Sequence, residues 1–407
     1  MIGRRVSAIA ALGVSVVLLG ACGGSTTTEK PDATAADSTS SSATSTTVPA
    51  AVAGDPALLL LLDGAKPLQR FSLGTDRLGV WVCHVPVGTT DPIYNPVDFR
   101  LSLNVETVTA QLAKHVTPYF DTLSNGNYHP EFVAGGEVSI AVNESNRDCV
   151  NKAQKQSGPD IDGLVVIADA EHAENQHGGW GRPGEPCKVD AACPASVSGR
   201  AAYIGASDFH PDWGSTPAVD LLEHEIGHTL GFPHSGGGDG YTSAIDVMSN
   251  SAAPRDVDGS RRNGPGTIAV NRIAAGWMPL SALRVVVEPG SFGLVASSAA
   301  SGQRILVLPL DHYHFLTVEA LDNTGFDKHL PHPGVVVHEI DQTPTTCRSG
   351  GAAEPCLNEY RTQFPVSGTA PFVDLLGDGA TWSAQGWSVA VAARGGENWT
   401  ITVGRTD

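Results

Sequence analysis

Residues 216–234 read TPAVDLLEHEIGHTLGFPH, and this stretch leaves the chain few choices. Thr216 and Pro217 suit the N-cap and first position of a helix, and Asp220 suits the positive end of its dipole. At about 100° per residue, Val219, Leu222, Ile226 and Leu230 share one side, while His224 and His228 lie about 40° apart on the other with Glu225 beside them. The expected helix therefore has an apolar face for a core and a polar face of two imidazoles and a carboxylate. Gly231 can take a positive φ and end the helix. Pro233 keeps it from resuming, and the turn brings His234 back towards the first two histidines.

Two imidazoles at positions i and i+4 can share one metal ion. Three neutral imidazoles suit zinc and leave a fourth position for water, whose pKa the ion lowers to roughly 7. Glu225 then stands within reach as a general base. The candidate metal ligands are His224, His228 and His234, the candidate catalytic residue is Glu225, and one Zn2+ is the expected cofactor. Five fixed residues spaced H-E-x-x-H-x-x-G-x-x-H arise by chance on the order of once in ten thousand chains this long. A closed structural zinc would need a fourth protein ligand.

The address comes from the N-terminus. Arg4 and Arg5 precede an apolar run from Val6 to Leu19, followed by Leu19-Gly20-Ala21-Cys22. That is an export signal over 1–21, and its end resembles the lipobox of bacterial lipoproteins, implying lipidation of Cys22. No segment has the roughly 20 apolar residues of a membrane span; Leu58 to Leu62 is far too short. Residues 22–54 are rich in Ser, Thr, Ala and Gly and read as a disordered tether. The expectation is an extracytoplasmic protein of the cell envelope, held to the outer face of the cytoplasmic membrane by lipid alone. The formal net charge of −18 argues against a nucleic-acid partner.

Of the seven cysteines, six remain beyond Cys22: Cys83, Cys149, Cys187, Cys193, Cys347 and Cys356. An even number in an exported chain points to disulfides, with 15 connectivities available. Cys83–Cys149, Cys187–Cys193 and Cys347–Cys356 are the expected pairs, the last two being close in sequence; a free Cys83 thiol held over a metal site is the alternative for that residue.

Along the chain, 77–87 reads as a strand, 104–120 as a helix, and 137–142, 163–168 and 201–206 as further strands. Residues 171–200 read as a long surface loop. After Met278 the pattern becomes short β runs at 283–287, 304–310, 314–320, 334–340, 387–393 and 398–403. The fold class is α+β: a domain over 55–280 containing the histidine helix, then a C-terminal all-β module over 281–407.

The stretch His224-Glu225-Ile226-Gly227-His228-Thr229-Leu230-Gly231-Phe232-Pro233-His234 resembles the zinc motif of metzincin metallopeptidases. Asp246-Val247-Met248-Ser249-Asn250, fourteen residues past His234, resembles the methionine turn that this clan places beneath the metal, so Met248 is the candidate for that role. Ser235 resembles the residue after the third histidine in matrixins and gametolysin-like enzymes. Asn250 stands where astacin-like members carry a tyrosine, so no such tyrosine is carried over. The segments 119–126, 274–279 and 315–341 resemble gametolysin-like and immune-inhibitor-A-like metallopeptidases, although His234 stands where immune-inhibitor-type members have an aspartate. The resemblance implies zinc-dependent hydrolysis of a peptide or protein substrate. It also implies a twisted sheet above the cleft, with Ala201 to Ala206 as the edge strand pairing with substrate.

Other features carry less. His338-Glu339 lacks a histidine at 342 and reads as structural or exposed. His172 and His177 are a weaker second-metal candidate in a loop. Asp160–Gly163 and Asp256–Gly259 are acidic turns compatible with calcium, but neither continues as an EF-hand loop. Two rival functions remain: a non-catalytic surface-binding or adhesin protein on the same scaffold, against which the retained Glu225 argues, and a zinc amidase acting on cell-wall peptides.

Overall fold

The structure, a computed structural model, describes residues 52–97, 99–172, 178–183, 199–235, 241–343 and 375–406. The expected export signal, Cys22, most of the expected tether, His177 and the pairs Cys187–Cys193 and Cys347–Cys356 lie outside them. Residues 48–407 form one compact unit with mixed α and β structure.

The elements in chain order are α1 (Pro56–Ser72), β1 (Gly74–His84), α2 (Val105–Leu123), β2 (Tyr128–Ser139), α3 (Asn146–Gln156), β3 (Gly163–Ala168), β4 (Gly179–Arg182), β5 (Ala201–Ile204), α4 (Asp220–Thr229), α5 (Ala253–Val257) and α6 (Ala269–Ala274). Strands follow: β6 (Leu283–Val285), β7 (Gly290–Val295), β8 (Ile305–Pro309), β9 (His314–Leu321), β10 (Gly334–Asp341), β11 (Thr381–Ala384), β12 (Trp387–Gly395) and β13 (Asn398–Arg405).

The first sheet has the order β2-β1-β3-β5-β4, parallel except for β4, which runs antiparallel to β5. A sheet covered on both faces reads as a continuous apolar run, and every residue of β3 is buried. Val80, Val82, Val165 and Ile167 face α2 and α4. Trp81, Cys83, Val166 and Ala168 face α3. The Cys83–Cys149 disulfide joins β1 to α3, so Cys83 is no free thiol.

The expected edge strand is corrected. Ala201–Ile204 lies between β3 and β4, and the edge is β4, within the expected loop. Glycines explain why β4 was hard to read as a strand: they let it lie directly on α4. A Cβ at Gly179 would stand 2.7 Å from Glu225 Oε1, and one at Gly181 would overlap the Glu225 carbonyl oxygen.

The histidine helix starts later than Thr216. The Ala218 N–H donates to Asp208 O and the Val219 N–H to Arg262 O, each at 2.9 Å, which holds the chain out of helix until Asp220. Its far end is as expected: Leu230 is the C-cap and Gly231 has φ +88°.

Two four-stranded sheets, β10-β9-β8-β6 and β11-β12-β13-β7, share one core that includes Leu306, Val318, Val337, Trp387, Trp399 and Ile401. The other face of β8 and β9 packs with α1 and α6, through Leu58, Leu61, Ile268, Ile273, Ile305 and Phe315. Val52, inside the expected tether, is buried in this second core.

Candidate metal centre

Packing orients α4 before any metal is considered. Val219, Leu222, Ile226 and Leu230 are all buried in the core beneath the first sheet. This turns His224 and His228 to the opposite side. The positive-φ turn at Gly231 returns the chain, and His234 joins them. His228 Nε2 lies 3.1 Å from His224 Nε2 and 3.0 Å from His234 Nε2.

The Nε2 atoms of His224 and His228 cannot satisfy each other. His224 Nδ1 lies 2.7 Å from Val247 O and His228 Nδ1 lies 2.7 Å from Phe232 O. A carbonyl only accepts, so each Nδ1 carries the proton and each Nε2 presents a bare lone pair. Burial, reinforced by His234, lowers the His224 pKa to about 4, and burial also pushes His228 well down, keeping both rings neutral. Lone pairs about 3 Å apart repel unless a cation lies between them. Tetrahedral zinc at about 2.0–2.1 Å from each nitrogen spaces them about 3.3–3.4 Å apart. The three histidines thus form a group that could hold a metal ion, and among the described residues it is the only such group of three His, Cys, Asp or Glu side chains. His172, the described member of the weaker candidate pair, instead stacks on Tyr203.

Met248 is fully buried against α4, and Gly227 leaves it room: a Cβ there would overlap the Met248 sulfur. The Val247 carbonyl of the same turn fixes the His224 ring. Asp246, which sequence reasoning overlooked, ties the parts together. It accepts from Ser235 Oγ at 2.5 Å, Thr267 Oγ1 at 2.8 Å and the Met248 N–H at 3.1 Å. One carboxylate therefore holds the segment after His234, the methionine turn and the approach to α6. Its adjacency to Met248 was the available signal.

Glu225 is buried, and its Oε2 has no hydrogen-bond partner among the described residues. Burial, with the charge of Asp208 adding, raises its pKa well above the usual range. Tyr241 was also overlooked: its hydroxyl lies 3.1 Å from His234 Nε2. A lone aromatic residue in the glycine-rich run between His234 and Met248 was the only hint in the sequence.

Elsewhere the acidic turns have ordinary roles. Asp160 pairs with Arg77 at 2.5 Å, and Asp258 caps Ser260. His338 is completely buried in β10, not exposed. Among the described residues no helix is long and apolar enough to cross a membrane. Comparison with protein-family models and with curated proteins finds no match to this chain.

Proposed function

We propose that the chain is a zinc-dependent endopeptidase, with a metzincin-like catalytic domain, a C-terminal all-β module and a lipid anchor at Cys22. One observation carries this reading: three histidine Nε2 atoms, those of His224 and His228 unprotonated, converge closely enough to share one metal ion, next to a buried carboxyl group with an unused oxygen. A structural site has no need of the second feature, since every buried polar group left unpaired costs stability. The same feature favours catalysis over a purely binding role.

A zinc ion held there supplies Lewis acidity, lowering the pKa of a water to about 7 and stabilising a developing oxyanion. Glu225 Oε2 takes the proton of the attacking water and delivers it to the leaving amine. Its burial suits the proton-carrying state between those steps, and the close approach of β4 keeps the carboxyl in one place. The Val247 and Phe232 carbonyls hold the His224 and His228 rings in the tautomer that leaves the Nε2 lone pair open for a metal. The edge strand β4 offers backbone groups for an extended peptide to pair with, taking the role expected of Ala201–Ala206. The Cys83–Cys149 disulfide suits an oxidising, extracytoplasmic compartment, in keeping with the export signal.

The test is hydrolysis of a mixed peptide library by zinc-loaded wild type and Glu225→Ala. Cleavage by wild type alone supports the reading. Equal cleavage by both removes Glu225 as the base, and absence of cleavage by zinc-bound wild type favours the binding-protein alternative.

A further inference from the structure

The metal site has a fourth side chain that its sequence motif does not include. Tyr241 Oη is 3.1 Å from His234 Nε2, the spacing at which the ligand nitrogens themselves stand, 3.0 and 3.1 Å. Two atoms at that distance are close enough to share one ion. The ring is held there. It packs edge-on against His234, with centroids 5.0 Å apart, and tilted against His224 at 6.0 Å. A cation on the His234 lone pair would leave the phenol unable to donate to that nitrogen and its oxygen free to bind the same ion. Tyr241 is also 46% exposed, whereas His224 and His228 are buried, so it can swing away without unpacking a core.

We propose that Tyr241 is a fourth, displaceable metal ligand, whose phenol oxygen fills the position that water or a substrate carbonyl must take. This rests on the metal-binding reading of the three histidines. Four protein ligands make a closed site and three leave it open, so the chain's own side chain sets which of the two the centre is. An incoming oxygen donor must displace it.

Copper(II) is the probe, because on binding it displaces the phenol proton to solvent, and the resulting phenolate gives a visible charge-transfer band that imidazoles alone do not. The full-length chain is loaded with one equivalent of copper, and Tyr241→Phe is compared at matched copper occupancy. The expected result is a band in wild type that is lost in the variant and bleached by acetohydroxamate, a bidentate oxygen donor. A copper-loaded wild type without the band, or the same band in Tyr241→Phe, overturns the proposal; this wild-type spectrum is decisive however the variant folds. A band that acetohydroxamate leaves intact overturns displaceability. Failure of wild type to take up copper sinks this proposal together with the metal reading. A band in a protein that cleaves no peptide leaves Tyr241 as a ligand and removes only the peptidase function.

Discussion

At the C-terminal end of α4, Arg200 donates to both oxygens of Asp76, at 2.6 and 2.5 Å, and through Nε to Thr229 O at 3.0 Å. Tyr128 adds its hydroxyl to Asp76 at 2.7 Å, and Arg200 also reaches Thr229 Oγ1 at 3.2 Å. On the histidine face of the same helix, lone pairs point at one another and Glu225 Oε2 accepts from nothing described. The first is buried, as are His224, His228 and Glu225 of the second, while His234 is half-buried. The first is complete within the protein; the second is a group that could hold a metal ion. Unpaired polarity inside a folded chain marks the place where a ligand is due.

The largest expected effect breaks the complete cluster. Arg200→Ala leaves Asp76 buried without its cation and should cost about 3–5 kcal/mol in chemical denaturation. An Asp76→Ala/Arg200→Ala double variant should lose less than the two single losses combined, and strict additivity would mean that the pair is not coupled. The second effect completes the open cluster. Zinc at a hundredfold over its dissociation constant should stabilise wild type by about 2.7 kcal/mol. His228→Ala should gain almost nothing from zinc, and an equal gain would place the metal elsewhere. A smaller effect tests the strand over the open side. Gly181→Ala should cost about 1–3 kcal/mol by overpacking, because the added methyl meets the Glu225 backbone, whereas Gly293→Ala, with open space at the same point, should cost less.

The last concerns a group between the two extremes. Glu319 accepts the Ala269 N–H, shared by both oxygens at 3.0 Å, and burial raises its pKa to about 7 from 4.5. The folded state therefore holds this proton more tightly than the unfolded chain. Its stabilising contribution is complete below pH 4.5 and is lost as pH rises towards 7. Glu319→Gln should flatten that part of the stability profile; an unchanged slope would assign it to other groups.

Legibility followed the reach of the forces involved. β3 was readable to the residue because a strand buried on both faces is an uninterrupted apolar run. The histidine face of α4 was readable because periodicity alone places it. The helix start was not, since Asp208 and Arg262 fix it from distant loops. β2 was expected only over 137–142 because Gly135-Gly136 looks like a break; both glycines lie against the Trp81 indole, which a Cβ at Gly135 would overlap. α1 was hidden by Gly64 and Pro67, and its Leu58 and Leu61 find their partners in α6 and β8, more than two hundred residues away. Tyr241 was missed for the same reason: nothing local says where a side chain after a glycine run will come to rest.

Nine of the ten residues of α4 are buried, Leu221 being the exception. A ten-letter word is thus written twice, once by packing and once by chemistry, with Gly227 making room for Met248 between two histidines that share one point. In a saturation library most substitutions here should be lost, with the one forgiving letter at 221.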